Sequence, residues 1–209
     1  MKDSGKWFIS AEDQAIANFS IEGGRLKIEH LAGNPDDDAW AEIIKKPNKV
    51  KGMKATLEVE SWDGDVRAGI GADVGIVQGI PNSLAWYELC VENWWSDSLV
   101  DYVDYVRGSV DVGDISVGWA DLYTIIYTEL GYQKHTIQGE IYTLNAKFDL
   151  KTALFKVKNR ADLGKVKYSY VEKINKIHYP YEPFRGIGTI SDDGDGTCIV
   201  YFDDVYVLK

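Results

Sequence analysis

The sequence predicts an all-β protein, a two-sheet antiparallel β-sandwich formed by a single domain that covers residues 1–209. Three observations favour this fold class. Apolar and polar residues alternate along most of the chain, as in Met53–Glu60, and alternate side chains of a strand lie on opposite faces. Turn-forming residues separate these stretches, and helical periodicity is almost absent. We therefore expect very little helix.

In chain order, the alternation predicts further strands at Arg25–Glu29, Ala39–Ile44, Val66–Asp73, Ala85–Glu92, Tyr123–Leu130, Lys134–Gln138, Glu140–Leu144, Ala153–Lys158, Phe184–Ile190 and Thr197–Leu208. The turn-formers between them are Gly23-Gly24, Asn34-Pro35, Asp63-Gly64, Pro81-Asn82 and Asp192–Gly196. Tyr168–His178 departs from this pattern, because apolar residues spaced three apart predict a helical turn there. The strands outnumber those of an eight-stranded jelly roll, which indicates two sheets of about six or seven strands, one curved to leave a concave face.

Composition and charge exclude several classes of protein. Hydrophobic residues form 45% of the 209 residues, which is enough for a packed core. The net charge of −10 repels phosphate backbones, so no nucleic-acid partner is expected. No apolar run approaches the roughly 18 residues that span a bilayer, so no membrane insertion is expected either. The first residues do not resemble a signal peptide. An excised domain of a secreted parent would lack one, and we expect an extracellular or cell-surface location.

The two cysteines have a structural interpretation. Cys90 and Cys198 are too few for a disulfide framework or a cysteine zinc site. Both lie among apolar residues, which is typical of small buried hydrophobes. One long-range disulfide between them is the alternative.

Three short stretches resemble segments of a known fold superfamily. They are Asn18–Ile28 with its glycine turn, Leu144–Val157 around Phe148-Asp149, and Val200–Val207 with the pattern F-D-x-V-x-V. They are similar to the first hairpin, an internal hairpin and the last strand of concanavalin A-like lectin/glucanase domains. The resemblance spans the chain and implies a jelly-roll sandwich of the laminin-G-like kind. Because the superfamily contains lectins, adhesion modules and glycoside hydrolases, the resemblance alone does not choose a function.

The segment Trp86–Trp95 carries two carboxylates on one face of a predicted strand, Glu88 and Glu92. Laminarinase-type members of the superfamily carry Glu-x-Asp-x-Glu, and the resemblance implies the same spacing here, with Cys90 in place of the aspartate. Glutamates four apart on a strand have Cα atoms about 13 Å apart, whereas retaining glycosidases hold their carboxyl groups about 5–5.5 Å apart. Three interpretations stay open: an ordinary solvated strand face, a polar-ligand site, and catalysis.

Aromatic residues are abundant, at 12% of the chain with seven Trp and 13 Tyr. Flat rings beside carboxylates suit sugars, which present C–H faces and hydroxyl rims. Core packing is the alternative for each Trp. The candidate ligand-binding residues are Trp86, Glu88, Glu92, Trp94, Trp95, Tyr102, Tyr105 and Trp119.

The predicted function is a non-catalytic carbohydrate-recognition module that binds a glycan on the concave sheet or its rim. The missing aspartate favours binding over catalysis, so no catalytic residue is assigned and the sequence favours a protein that is not an enzyme. One alternative is a glycoside hydrolase or polysaccharide lyase that uses Glu88 and Glu92. The other is a laminin-G-like adhesion domain with a protein partner.

Asp203 is the candidate metal ligand. Many members of the superfamily hold a structural calcium ion with an acidic side chain of the last strand, and the resemblance implies this role for Asp203. With Phe202 in the core, the carboxylate would face outward, toward the turn at Glu22–Gly24. There, calcium could use one carboxylate together with backbone carbonyl oxygens. The alternative is a carboxylate that only hydrogen-bonds a neighbouring loop.

Overall fold

The alternating residues form long strands in the computed structural model of the chain, which describes residues 7–9, 13–31, 37–43, 52–77, 79–97, 99–114, 116, 120–133, 141–151, 154–163, 166–175, 177–178, 185–191 and 196–208. The elements are β1 (Trp7–Phe8), α1 (Asp13–Ile16), β2 (Ala17–Glu22), β3 (Arg25–His30), β4 (Asp37–Ile43), β5 (Gly52–Asp63), β6 (Val66–Val77), β7 (Ser83–Ser96), β8 (Asp101–Asp114), β9 (Ala120–Gln133), β10 (Ile141–Lys151), β11 (Leu154–Leu163), β12 (Val166–Asn175), β13 (Ile177–His178), β14 (Arg185–Ser191) and β15 (Thr197–Leu208). Within these ranges, α1 is the only α-helix and has four residues. The expectation of very little helix is therefore confirmed. No helix of this described part is long and apolar enough to cross a membrane.

The strands form two antiparallel sheets. The first has eight strands, in the order β1-β4-β14-β6-β7-β8-β9, with β13 paired to β6 beside this path. The second has seven strands, in the order β12-β11-β10-β5-β15-β3-β2. Each pairing is antiparallel. The predicted two-sheet antiparallel sandwich is confirmed, with one sheet larger than expected.

The structure differs from the predicted elements at two places, and one predicted strand is not described. The helical turn predicted at Tyr168–His178 is wrong, because the segment lies in β12 and β13. Strand β12 pairs with β11 along its whole length, so its backbone is extended and its hydrogen bonds on that side go to the neighbouring strand rather than to a helical turn. Strand β8 was not predicted, because Asp104 and Gly108 occupy inward-facing positions and interrupt the apolar alternation. The strand predicted at Lys134–Gln138 lies outside the described residues.

One hydrophobic core includes residues from both sheets. Strand β7 contributes Tyr87, Leu89 and Val91, and the seven-stranded sheet contributes Leu57 and Phe202, all of them buried. Since side chains alternate along a strand, the even-numbered residues of β7 face away from this core. Four of the residues that the sequence singled out, Trp86, Glu88, Glu92 and Trp94, are among these even-numbered residues, whereas Trp95 is not.

Both cysteines are buried free thiols, so the structural interpretation is confirmed and the disulfide alternative is wrong. Cys198 belongs to the core cluster, and burial raises the pKa of its thiol to about 12. Burial likewise raises the pKa of Cys90 well above its ordinary value. Thiols that stay protonated at neutral pH are poor nucleophiles and poor metal ligands.

Candidate functional site

The outer face of β7 carries four predicted site residues, Trp86, Glu88, Glu92 and Trp94, with Cys90 between the two glutamates. Trp86 and Trp94 are half-buried. Glu88 and Glu92 are each only 1% exposed, although their face points away from the core. The interpretation of this pair as a solvated strand face is therefore wrong.

Two arginines on the neighbouring strands neutralise these carboxylates. In the register, Arg107 of β8 lies opposite Cys90 and Arg67 of β6 lies opposite Glu92, so both guanidinium groups stand on the outer face. Arg107 contacts both glutamates, with Nη1 2.9 Å from Oε2 of Glu92 and Nη2 3.2 Å from Oε2 of Glu88. Nε of Arg67 also lies 3.2 Å from Oε2 of Glu88. We call these two arginines and two glutamates the charge cluster, in which positive and negative charges balance.

The charge cluster fixes the ionisation of its members. Burial would raise the pKa of Glu88, but the charges of Arg67 and Arg107, with hydrogen bonds from Trp86 and Arg107, outweigh burial and hold it below its ordinary value. Burial would lower the pKa of Arg107, but the carboxylates, Glu92 foremost, raise it well above its ordinary value. A glycosidase acid needs a raised pKa and access to the substrate. Glu88 has neither, so the geometry disfavours a hydrolase that uses Glu88 as its acid.

The ring of Trp86 is held by several contacts. Its indole N–H donates to the Glu88 carboxylate. Trp40 of β4 meets it edge-on, with ring centroids 5.1 Å apart and an angle of 74° between the planes. Gly71 and Gly188 leave room for the two rings, since an added Cβ would lie 2.2 Å from Cζ2 of Trp86 and 2.5 Å from Cε3 of Trp40, respectively. The ring is thus fixed in place on the sheet.

We expect Gly71→Ala to displace the Trp86 ring. The added methyl group would overlap the indole of Trp86 and come within 2.9 Å of Cη2 of Trp40. Overpacking of this kind costs about 1–3 kcal/mol of unfolding free energy. Urea denaturation measures the loss, and near-ultraviolet circular dichroism reports the displaced ring. An unchanged unfolding free energy with an unchanged aromatic spectrum would contradict the packing described above.

Two carboxylates that sequence reasoning missed flank Trp86. The register sets Trp86 opposite Asp73 of β6 and opposite Asp111 of β8, so the three side chains stand side by side on the outer face. All three are half-buried, and Oδ2 of Asp111 accepts the hydroxyl hydrogen of Ser109 at 2.9 Å. We call Trp86, Asp73 and Asp111 the outer-face platform. The sequence signal for the two aspartates was only their place in alternating stretches, because register between strands cannot be read from it.

The predicted aromatic residues Trp94, Trp95 and Tyr105, whose side chains the structure describes, do not join this platform. Trp95, at the end of β7, is 39% exposed, and its indole N–H donates to Asp97 at 3.1 Å. Tyr105 is half-buried on the outer face, opposite Glu92 and so at the far end of the row from Trp86. The structure describes the backbone of one further candidate, Tyr102 in β8, and the last one, Trp119, lies outside the described residues.

Asp203 lies at a bulge in β15, where Asp204 has a φ of 48°. Its neighbour Phe202 is buried, and the half-buried carboxylate of Asp203 accepts the backbone N–H of Asp204 at 2.8 Å. In the described ranges, no three His, Cys, Asp or Glu side chains are grouped to hold a metal ion. Calcium binding at Asp203 stays a prediction, and it would need backbone oxygens or water for most of its ligands.

Comparisons with known proteins find a shared fold. No protein-family model matches the chain, and no curated protein matches its sequence. The structure is similar to the legume lectin-like domain from Entamoeba histolytica, with a TM-score of 0.55 and 11% identity over 98% of this chain and 91% of that one. It is also similar to peanut lectin, whose structure contains a nine-residue peptide, with a TM-score of 0.52 and 9% identity over 99% of this chain and 95% of that one.

These likenesses define the fold class. The chain is a concanavalin A-like jelly-roll sandwich, the fold of legume lectin-like domains. The three resembling stretches lie where that fold implied them. Asn18–Ile28 lies in the β2–β3 hairpin, the described residues of Leu144–Val157 lie in β10 and β11, and Val200–Val207 lies in the last strand, β15. At such low sequence identity, the structural likeness shows only that the fold is shared.

Proposed function

We propose that the chain is a non-catalytic carbohydrate-binding domain whose outer-face platform contacts a sugar ring. The observation that carries the proposal is the half-buried indole of Trp86, fixed in place between Asp73 and Asp111. The C–H face of a pyranose packs against an indole, while its hydroxyl groups donate to carboxylates beside the ring. A few placed polar groups around an apolar surface are typical of small-ligand sites.

The fold supports the same proposal. Both similar structures are named as a lectin or as lectin-like. Because one fold hosts many functions, the site rather than this likeness supports carbohydrate binding. We also expect the protein to act outside the cell or at its surface, where most glycans are displayed.

The proposal is tested by a glycan array followed by calorimetric titration with the glycan that gives the strongest array signal. We expect Trp86→Ala to weaken that binding at least about thirtyfold, because buried aromatic anchors are worth about 2 kcal/mol or more. Tyr206→Ala is the matched control, since Tyr206 is an exposed aromatic residue on the other sheet. It should bind as the unmodified protein does.

Four outcomes would contradict the proposal. The absence of array binding at high micromolar protein would exclude a glycan ligand among those printed. Binding that survives Trp86→Ala would move the site elsewhere. Release of reducing sugar by the unmodified protein, lost in Glu88→Gln, would favour the hydrolase alternative. A stoichiometric protein partner, recovered without sugar competition, would favour the adhesion alternative.

A further inference from the structure

The charge cluster has a position that stability alone does not explain. Taking four charges out of water is expensive, and hydrophobic residues in place of a buried ion pair are often neutral or stabilising. The cluster spans β6, β7 and β8 on the outer face, on the side away from the hydrophobic core. Three of its members are nevertheless nearly inaccessible, with Glu88 and Glu92 at 1% exposure and Arg107 at 8%, and the side chain of Arg67 is 14% exposed. It lies directly beside the outer-face platform.

The carboxylate of Glu88 belongs to the charge cluster and also contacts Trp86 of the outer-face platform. Glu88 is paired with Arg67 and Arg107. The Trp86 ring lies against Gly71, the residue opposite Glu88 in the register, and its indole N–H donates to the Glu88 carboxylate. That N–H is the only polar donor of an indole, so its acceptor fixes the tilt of the ring within the sheet. The guanidinium groups of Arg67 and Arg107, from the strands on either side of β7, in turn hold the Glu88 carboxylate in place. Glu92, by contrast, is paired with Arg107 at the other side of the cluster.

We propose that Glu88, held by Arg67 and Arg107, is a positioning residue that orients the Trp86 ring for sugar binding. It acts through the indole and does not contact the sugar. A ring that is already oriented loses less freedom when a ligand binds, and this strengthens binding. That the Trp86 ring contacts a sugar rests on the proposed function. The hydrogen bond that orients the ring can be tested without any sugar.

Two double variants of equal composition separate positioning from stability. Arg67→Gln/Glu88→Gln removes the charged acceptor of the indole N–H, and Arg67→Gln/Glu92→Gln keeps it. Each removes one positive and one negative charge, so the cluster stays balanced in both. The measurement is the hydrogen-exchange rate of the Trp86 indole N–H by heteronuclear NMR, with the resonance assigned by its loss in Trp86→Phe.

We expect the Trp86 indole N–H to exchange at least about tenfold faster in Arg67→Gln/Glu88→Gln than in Arg67→Gln/Glu92→Gln, because a hydrogen bond to a charged group is worth at least that factor. The glycan-array signal of the Glu88 double variant should fall together with the protection. Equal exchange rates in the two double variants would overturn the proposal, since the cluster would then act on stability alone.

The unmodified protein gives a second test if a double variant fails to fold. The indole N–H of Trp95 also donates to a carboxylate, that of Asp97, but at an exposed site. We expect Trp86 to exchange at least about tenfold more slowly than Trp95, since its bond is buried. Equal rates would overturn the proposal. Slow exchange at Trp86 without any array binding would confirm the orienting bond and contradict only the proposed function.

Discussion

Replacing Arg107 by methionine is expected to lower the free energy of unfolding by about 3–5 kcal/mol. The Arg107 guanidinium is buried and contacts both Glu88 and Glu92. Methionine fills part of the volume but leaves two buried carboxylates with the single positive charge of Arg67. A buried charge that has lost its partner is costly, because neither water nor an opposite charge stabilises it. Urea denaturation measures the loss, provided that the m-value is unchanged.

Two controls sharpen this experiment. Arg25→Met removes an arginine that pairs with Glu58 and stacks on Tyr201, but its side chain is 35% exposed, so we expect a loss of about 1 kcal/mol or less. Arg107→Met combined with Glu92→Gln restores the charge balance and should recover part of the loss. An Arg107→Met protein as stable as Arg25→Met would contradict the account of the charge cluster.

Phe202→Ala is expected to cost about 3–5 kcal/mol of unfolding free energy. Phe202 is fully buried, belongs to the core cluster, and lies on β15 in the middle of the seven-stranded sheet. Alanine would leave a cavity between the sheets that the surrounding side chains fill only in part. Thermal and urea unfolding both measure this effect.

Tyr206→Ala is the control on the same strand. Tyr206 is 53% exposed, and its ring lies 5.9 Å from Nζ of Lys54, so its loss should change stability by about 0.5 kcal/mol or less. Similar losses for the two variants would mean that β15 does not present Phe202 to the core and Tyr206 to solvent. The sandwich described above would then be wrong.

The division of β7 into two faces could be predicted from sequence, because it depends only on residue type and a period of two. Tyr87 and Leu89 are in the core, and Glu88 and Glu92 are on the outer face, as the alternation predicts. The superfamily resemblance likewise predicted the sandwich, since its short motifs lie on strands at both ends of the chain. Periodicity misled at Tyr168–His178, where sheet pairing outweighs local spacing, and it missed β8, where Asp104 and Gly108 interrupt the apolar alternation.

The environment of the outer face could not be predicted in the same way. Glu88 meets Arg107 across 19 positions of sequence, and this contact depends on the register between β7 and β8. The same register brings Asp73 and Asp111 to either side of Trp86. A single sequence shows which residues alternate along one strand. It does not show which residues of two neighbouring strands lie opposite each other. The burial of Glu88 and the existence of the platform therefore required the structure.

The central claim is that sugar binds at the outer-face platform. The most direct measurement follows the tryptophan indole N–H resonances by NMR during titration with the glycan that gives the strongest array signal. The account predicts a saturable shift of the Trp86 resonance, a smaller shift for its edge-on neighbour Trp40, and none for the distant Trp95. Saturable binding that leaves the Trp86 resonance unmoved would contradict the account.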